Sequence, residues 1–284
     1  MSLAGPLLSL RNIGKRYGPV RALEGVDLHI NAREVLGICG DNGAGKSTLI
    51  RILAGAEVPS EGTLVINGEP VRFRSPAAAL ARGIATTYQD LALAPRLSIA
   101  QNVFMGGELL RGPAVFGLLD RPRMRREAEM YLDRFGFAGI DMNRPVADLS
   151  GGQRQAVALA RALRGRARMV IMDEPTAALG VAESRQVLDL ILRLRSEGVT
   201  VVLVSHNMDD LIAVTTRVVV LKKGRKAGEA ETSRLDAQKL AQAVMSGIVE
   251  PPPPPAPFWD DDPDDLAAKK WPIQEWPSPD APFV

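Results

Sequence analysis

Gly40-Asp41-Asn42-Gly43-Ala44-Gly45-Lys46-Ser47-Thr48 is a complete G-x-x-x-x-G-K-S loop, and it constrains the fold more than any other stretch of the chain. Gly43 and Gly45 carry no Cβ, so the backbone is free to take positive φ and turn its N–H groups inward around an anion. A helix begun by Lys46 to Thr48 aims its free N–H groups and the positive end of its dipole at the same point. Lys46 reaches the outer phosphates, and Ser47 offers a hydroxyl to Mg²⁺. The flanks agree. Glu34–Ile38 reads as a short buried strand, and Leu49, Ile52 and Leu53 give the next residues one apolar helical face, closed by Gly55. A glycine-rich turn that matches by accident would not come with strand, loop, Lys-Ser pair and helix in this order.

The 284 residues are 46% hydrophobic and 24% charged, which suits one large or two small globular domains. No run approaches the roughly 18 consecutive apolar residues of a spanning helix; the richest, Val199–Val204 and Val218–Leu221, are strand-sized. Met1 to Leu8 lacks the basic and long apolar regions of a secretory signal, so the expected location is the cytoplasm. Cys39 is the only cysteine, which excludes an internal disulfide and a Cys-cluster metal site and suggests a packing role at a strand end. Eight acidic residues and two lysines between Glu250 and Val284 leave the rest of the chain at +8 within a total of +2. The Lys and Arg residues of that part are scattered. Its dense cluster, Arg121 to Arg126, reads as a solvated helix face rather than an anion or partner patch, so no nucleic-acid partner is expected.

Residues 7–12, 26–30, 63–66 and 71–73 are short alternating or β-branched runs between turn residues, and they predict a small antiparallel layer beside the loop. Tyr17, between the first two, is open to two readings: stacking on a flat base, or ordinary edge packing. After Ser75-Pro76 a short Ala-rich helix ends at Gly83, and Ile84–Tyr88 returns as a strand with Gln89 at its end. Ligands of open α/β sheets gather beyond the carboxyl ends of strands, so Gln89 can reach a bound phosphate or Mg²⁺. Residues 90–150 read as a helical insertion, with a capping-box start at Ser98–Gln101 and a helix over Asp120–Phe135.

Leu149-Ser150-Gly151-Gly152-Gln153 opens the next helix. It is either a second anion site, with its N–H groups unshielded, or a Ser N-cap followed by glycines. Met169–Met172 is an apolar strand ending in Asp173-Glu174, a pair suited to dividing labour between a magnesium shell and a proton acceptor for water. Ala182–Arg195 reads as a helix, and Val199–Val204 as a buried strand that delivers Ser205-His206 to the ligand edge; His29 alternates with apolar neighbours and reads as structural. A helix over Met208–Val214, a hairpin around Gly224 and a helix over Leu235–Met245 complete a domain of residues 1–249. Residues 250–284, with five consecutive prolines, acidic residues and three tryptophans, read as a disordered tail.

The phosphate loop, Gln89, Leu149–Gln153, Asp173-Glu174 and His206, in that order, resemble the ATP-binding cassette (ABC) family over residues 7 to about 248. Ser75–Ile84, Tyr88–Leu93 and Glu174–Gly180 look like the ATPases of bacterial monosaccharide importers of the ribose and fructose type, many of which fuse two cassettes where this chain has one. The resemblance implies an α/β fold: a P-loop NTPase (RecA-like) core with an antiparallel β layer and an inserted α-helical subdomain. It implies that Tyr17 stacks on adenine, and that Lys46 and the amides of Gly40, Asn42, Gly43, Ala44, Gly45, Ser47 and Thr48 hold ATP. Ser47 and Gln89 would ligate Mg²⁺, with Asp173 holding a metal-bound water. Glu174 would be the base for the attacking water and His206 a γ-phosphate ligand, while Ser150, Gly151, Gly152 and Gln153 would cap the nucleotide of a second copy. A homodimer, integral membrane permease subunits, a secreted or periplasmic solute-binding protein and a place on the inner face of the cell membrane are implied with it. Gly180 departs from the common family pattern, in which most members have Asp there, and puts in question how tightly the two ATP sites communicate. Nucleosides or another small polar solute are the alternative cargo. A soluble relative acting on nucleic acid or ribosomes would need a coiled-coil or zinc-hook insertion, or tandem cassettes, and these residues supply neither.

Overall fold

The first two strands, β1 (Leu8–Tyr17) and β2 (Val20–Ile30), form one long antiparallel hairpin in the structure, a computed structural model that describes residues 6–111, 117–164 and 167–249. The proline-rich segment expected to be a tail lies outside the described residues. Both strands are longer than the expected 7–12 and 26–30. The pairing shifts register between Leu10 and Ile13 and again before Lys15 and Arg16, Asn12 takes a φ of 51°, and its N–H donates to Asp27 Oδ1 at 2.8 Å. Each bulge breaks the two-residue alternation on which a sequence reading depends. Tyr17 accordingly ends β1 and does not lie in a loop between strands.

β3 (Val35–Gly40) is buried at every position and delivers the glycine-rich loop into α1 (Lys46–Leu53). β4 (Glu61–Ile66) pairs with β1, and β5 (Glu69–Val71) pairs with β4 across Asn67-Gly68, both at positive φ as a tight hairpin turn requires. β5 thus stops before Phe73, which packs into the core instead of extending the strand. The result is a four-stranded antiparallel sheet, β2-β1-β4-β5.

After α2 (Pro76–Ala81) and β6 (Ile84–Thr87), the chain enters α3 (Ile99–Phe104), capped by the reciprocal Ser98–Gln101 pair. The segment expected to be a helical insertion also contains a short antiparallel pair, β7 (Leu110–Arg111) with β8 (Leu118–Leu119), before α4 (Arg121–Arg134) and α5 (Gly151–Leu163). Phe104, Ala128, Leu132, Ala156 and Leu159 close the space between α3, α4 and α5.

β9 (Met169–Asp173), α6 (Val181–Ser196), β10 (Thr200–Val204), α7 (Met208–Val214), β11 (Arg217–Lys222), β12 (Arg225–Glu231) and α8 (Ala237–Ser246) complete the described fold. The second sheet runs β12-β11-β3-β10-β9-β6, parallel except for β12 at its edge. Strands β11, β3, β10 and β9 are near-continuous apolar runs because both faces are covered. Leu36 and Ile38 of β3 face a core shared with α1 and the antiparallel sheet, whereas Val35 and Cys39 face the core built with α5 to α8. Pairs such as Val204 with Ile38, Val204 with Asp173 and Thr87 with Met172 align the carboxyl ends of four parallel strands along one edge. Among the described residues no helix is long and apolar enough to cross a membrane.

Candidate functional site

The strand order sets the order of the site. Along the carboxyl edge come the loop after β3, His206 after β10, Asp173-Glu174 at the end of β9 and Gln89 after β6. Residues far apart in the chain are thus brought to one line, in the crevice position where open α/β sheets bind ligands.

The loop is held from within and from outside. Ala44 N–H donates to Asp41 O at 3.1 Å, Gly224 N–H to Ala44 O at 3.0 Å, and Glu24 N–H to Gly224 O at 2.8 Å. Gly40, Gly43 and Gly45 all take positive φ, and the space a Cβ on Gly43 would enter is open. Lys46 Nζ donates to the carbonyls of Gly40 at 2.6 Å and Asp41 at 3.0 Å, which folds the ammonium back over the loop. Gly45, the N-cap of α1, provides no side chain for the first-turn amides of Lys46, Ser47 and Thr48. By contrast α2, α3, α4, α5, α7 and α8 each begin with a side-chain cap. An uncapped first turn beneath a lysine is the donor set of a phosphate site.

Asp173 is half-buried at the end of β9. Burial pushes its carboxyl above the ordinary range and the neighbouring Glu174 charge adds to this, against opposition from Lys46 and Arg51. Glu174 takes a φ of 50°, unusual for a residue with a side chain, while its N–H donates to Val204 O at 2.9 Å. Its Oε2 lies 2.8 Å from His206 Nδ1 and accepts from the His206 N–H at 3.4 Å. The His206 ring is 73% exposed and the Glu174 side chain 16%. Behind them, Gln155 Nε2 donates to Pro175 O at 2.8 Å and Thr176 Oγ1 donates to Asp210 Oδ2 at 2.6 Å, tying the loop after Glu174 to α5 and α7.

Gln89 and Glu174 line one crevice of about 380 Å³ together with Gly151, Arg154 and Gln155. Tyr17 is 38% exposed, with Lys15 Nζ 5.0 Å from its ring centroid; Lys15 is itself held by Glu57 at 2.7 Å. The ring therefore stands at the surface with a cation against it and is not core packing. Ser150 and Gln153 form a reciprocal capping box: Gln153 N–H donates to Ser150 Oγ at 3.3 Å and Ser150 N–H to Gln153 Oε1 at 3.0 Å. The Gly151 N–H donates to Glu183 Oε1 at 2.7 Å. Within one chain this segment is thus a capped helix start. His29 sits on β2, where its carbonyl accepts from Arg217 at 2.6 Å.

Sequence reasoning passed over Arg51, whose charge acts on both Asp173 and Tyr88, and Glu183. Arg51 is in the last turn of α1, an otherwise ordinary helix, and no local pattern marks it. Glu183 stands three residues after Gly180, the spacing of a capping box, but a glycine N-cap conceals that pattern. Among the described residues no group of three His, Cys, Asp or Glu side chains could hold a metal ion by itself.

A family model described as ABC transporter matches residues 23–177. The fructose import ATP-binding protein FrcA of Rhizobium meliloti is 46% identical over 251 residues, 87% of this chain and 96% of that protein. The xylose/arabinose import ATP-binding protein XylG of Sulfolobus acidocaldarius is 42% identical over 84% of this chain and 94% of its own length. Ribose import ATP-binding protein RbsA 2 of Escherichia coli O157:H7 is 40% identical over 84% of this chain, which spans only 46% of it. Among solved structures, the ATP-binding cassette MJ1267 superposes with a TM-score of 0.75 at 25% identity, over 86% of this chain and 99% of that one. The dimeric MJ0796, a bacterial ABC transporter cassette, superposes with a TM-score of 0.65 at 29% identity, over 79% of this chain and 98% of that one.

Proposed function

The chain belongs to the ABC transporter family, and from that membership we propose that it is the ATP-hydrolysing subunit of a monosaccharide importer, with residues 1–249 as its ATPase domain and 250–284 as a separate tail. The observation that carries the hydrolytic part is the contact between Glu174 and His206 on the strand edge that also bears the phosphate loop. The sugar reading is supported by FrcA and XylG, which match over nearly their whole length.

The residues present fit a magnesium nucleotide. The uncapped first turn of α1, the open side of Gly43 and the Lys46 ammonium make an anion cradle, and the Lys46 charge reaches the Asp173 carboxyl. Ser47, Gln89 and, through water, Asp173 would hold Mg²⁺, which would supply charge neutralisation to the phosphates. Lys46 and the loop amides bind those phosphates, and the exposed ring of Tyr17 stacks on adenine. Glu174 accepts a proton from water as the new O–P bond forms on the γ-phosphorus and the bond to the β-phosphate oxygen breaks; ADP leaves with that electron pair. His206 holds Glu174 in place and donates to the γ-phosphate from its second nitrogen when both carry protons.

The loop at Gly40 to Thr48 is half of a site. In a head-to-tail homodimer, Ser150 to Gln153 of one copy cover the γ-phosphate bound by the other, so nucleotide becomes interface material. Closure on ATP and opening after hydrolysis drive membrane-spanning permease subunits at the inner face of the membrane, fed by an external solute-binding protein. Uptake of labelled fructose, ribose and xylose by cells lacking the gene, complemented with the native chain or with Glu174→Gln, tests this. Uptake of at least one sugar should fall and return only with the native chain; unchanged uptake of all three would remove the sugar reading.

A further inference from the structure

Glu183 has no part in the chemistry above, yet its carboxylate spans two segments of the site. Oε1 accepts from the Gly151 N–H at 2.7 Å and Oε2 from the Gly180 N–H at 3.3 Å. The bond to Gly180 is a helix-capping contact, because Glu183 is the third residue of α6. The bond to Gly151 is not, since it crosses 32 residues of sequence to reach the first residue of α5. Packing around it is close: a Cβ on Gly151 would lie 2.3 Å from Leu179 Cδ2 and 3.0 Å from Glu183 Oε2.

Ser150 and Gln153 satisfy one another, so their capping box fixes the shape of the segment but not its orientation. Two ties bear on its orientation: Gln155 to the Pro175 carbonyl in the loop that leaves Glu174, and Glu183, on α6 just beyond that loop, to Gly151. Glu183 is the charged one of these, and charge-assisted bonds are about twice as strong as neutral ones. We propose that Glu183 is a positioning residue: its carboxylate holds residues 150–153 in register with the loop 174–180, so that the lid one cassette offers its partner is set relative to its own hydrolytic carboxylate. This rests on the reading that residues 150–153 act on a second copy.

The test uses the full chain carrying Glu174→Gln, which slows turnover, and measures ATP-dependent dimerisation by sedimentation velocity. Adding Glu183→Ala should weaken the dimer about ten-fold, the loss of one charge-assisted bond. Glu183→Gln, which keeps one acceptor oxygen, should recover part of that loss. ATP affinity of the dilute monomer should not change, because the phosphate loop is untouched, and the Gly151 amide should exchange its hydrogen faster. An unchanged or tighter dimer with Glu183→Ala overturns the inference, as does an effect confined to melting temperature, which would assign Glu183 to capping α6 alone. If the chain with Glu183 intact forms no ATP-dependent dimer, the reading in trans fails first and the inference falls with it.

Discussion

His206 Nδ1 lies 2.8 Å from Glu174 Oε2, although the two residues leave different strands and stand 32 positions apart. An ionised carboxylate only accepts, so with Glu174 acting as a base this contact calls for the ring proton on Nδ1. The backbone accommodates this. Glu174 adopts its positive φ while its N–H stays paired with Val204 O, and a strained residue held by its surroundings is where a structure points to function.

Glu174→Gln is expected to lower ATP turnover by about 10²- to 10⁴-fold, the usual contribution of a positioned base, while leaving nucleotide binding intact and letting ATP-bound dimers accumulate. His206→Ala, which removes the group that orients the base, should cost less, on the order of 10²-fold at the same saturating ATP. Phosphate release measured on both variants decides it: native rates for Glu174→Gln would take this residue out of the mechanism.

Asp173 gives a stability prediction of definite sign. Its folded-state pKa lies above the ordinary 3.8, chiefly through burial and then through Glu174. The folded state thus holds the proton more tightly than the unfolded chain, and the stability this contributes is present below 3.8 and lost as pH rises through the folded value. At neutral pH, without metal or nucleotide, Asp173→Asn should therefore melt higher, by about 2–4 °C for each kcal/mol relieved in a domain of this size. It should also lose its response to added Mg²⁺. A lower melting temperature in EDTA would contradict the account.

Legibility followed the covering of each strand. β3, β9 and β10 are buried on both faces, so each reads as an unbroken apolar run with its polar residues immediately beyond, and Glu174 and His206 stand out at those ends. The reach of β1 and β2 was hidden because bulges at Asn12 and near Lys15 shift the alternation from one face to the other. The pair β7–β8 is two residues on each side, too short for any periodicity. Arg51 acquires its relation to Asp173 only through the crossing of α1 over the sheet, and Glu183 reaches Gly151 only because α5 and α6 pack side by side.

The loop glycines should separate by mechanism. A Cβ on Gly40 would lie 2.2 Å from the Leu221 carbonyl oxygen, a fixed backbone atom, whereas one on Gly43 meets nothing within 4 Å. Gly43→Ala thus carries only the cost of a positive φ, about 1–2 kcal/mol, and should fold while weakening ATP binding through the crowded cradle. Gly40→Ala must displace β11 and should cost more than 4 kcal/mol, a loss found only where packing is broken. Denaturant titrations of the two variants provide the comparison, and equal losses would show that the clash at Gly40 is relieved at no cost.

Cys39 is a reporter of the core beneath this loop. It is fully buried on β3, its thiol 3.7 Å from the Val219 carbonyl, and burial pushes its pKa up to about 12. Thiol reagents act on the thiolate, so the native chain at pH 8 should resist labelling and react at the rate of unfolding. Rapid stoichiometric modification of the folded chain would place Cys39 outside the core.

Lys46 sits where binding and assembly meet. Its ammonium is held by the Gly40 and Asp41 carbonyls, so the charge already rests over the loop and little side-chain entropy remains to be lost when phosphate arrives. Lys46→Ala removes that charge but keeps the helix and the amides. ATP affinity should fall by one to two orders of magnitude, as expected for a charge-assisted contact worth about 1.5–3 kcal/mol. In the proposed head-to-tail assembly the ATP-dependent dimer should disappear together with turnover, even on the Glu174→Gln background where dimers are otherwise expected to persist. Sedimentation at saturating ATP is the measurement, and a tight ATP-dependent dimer of the Lys46→Ala chain would separate assembly from phosphate capture.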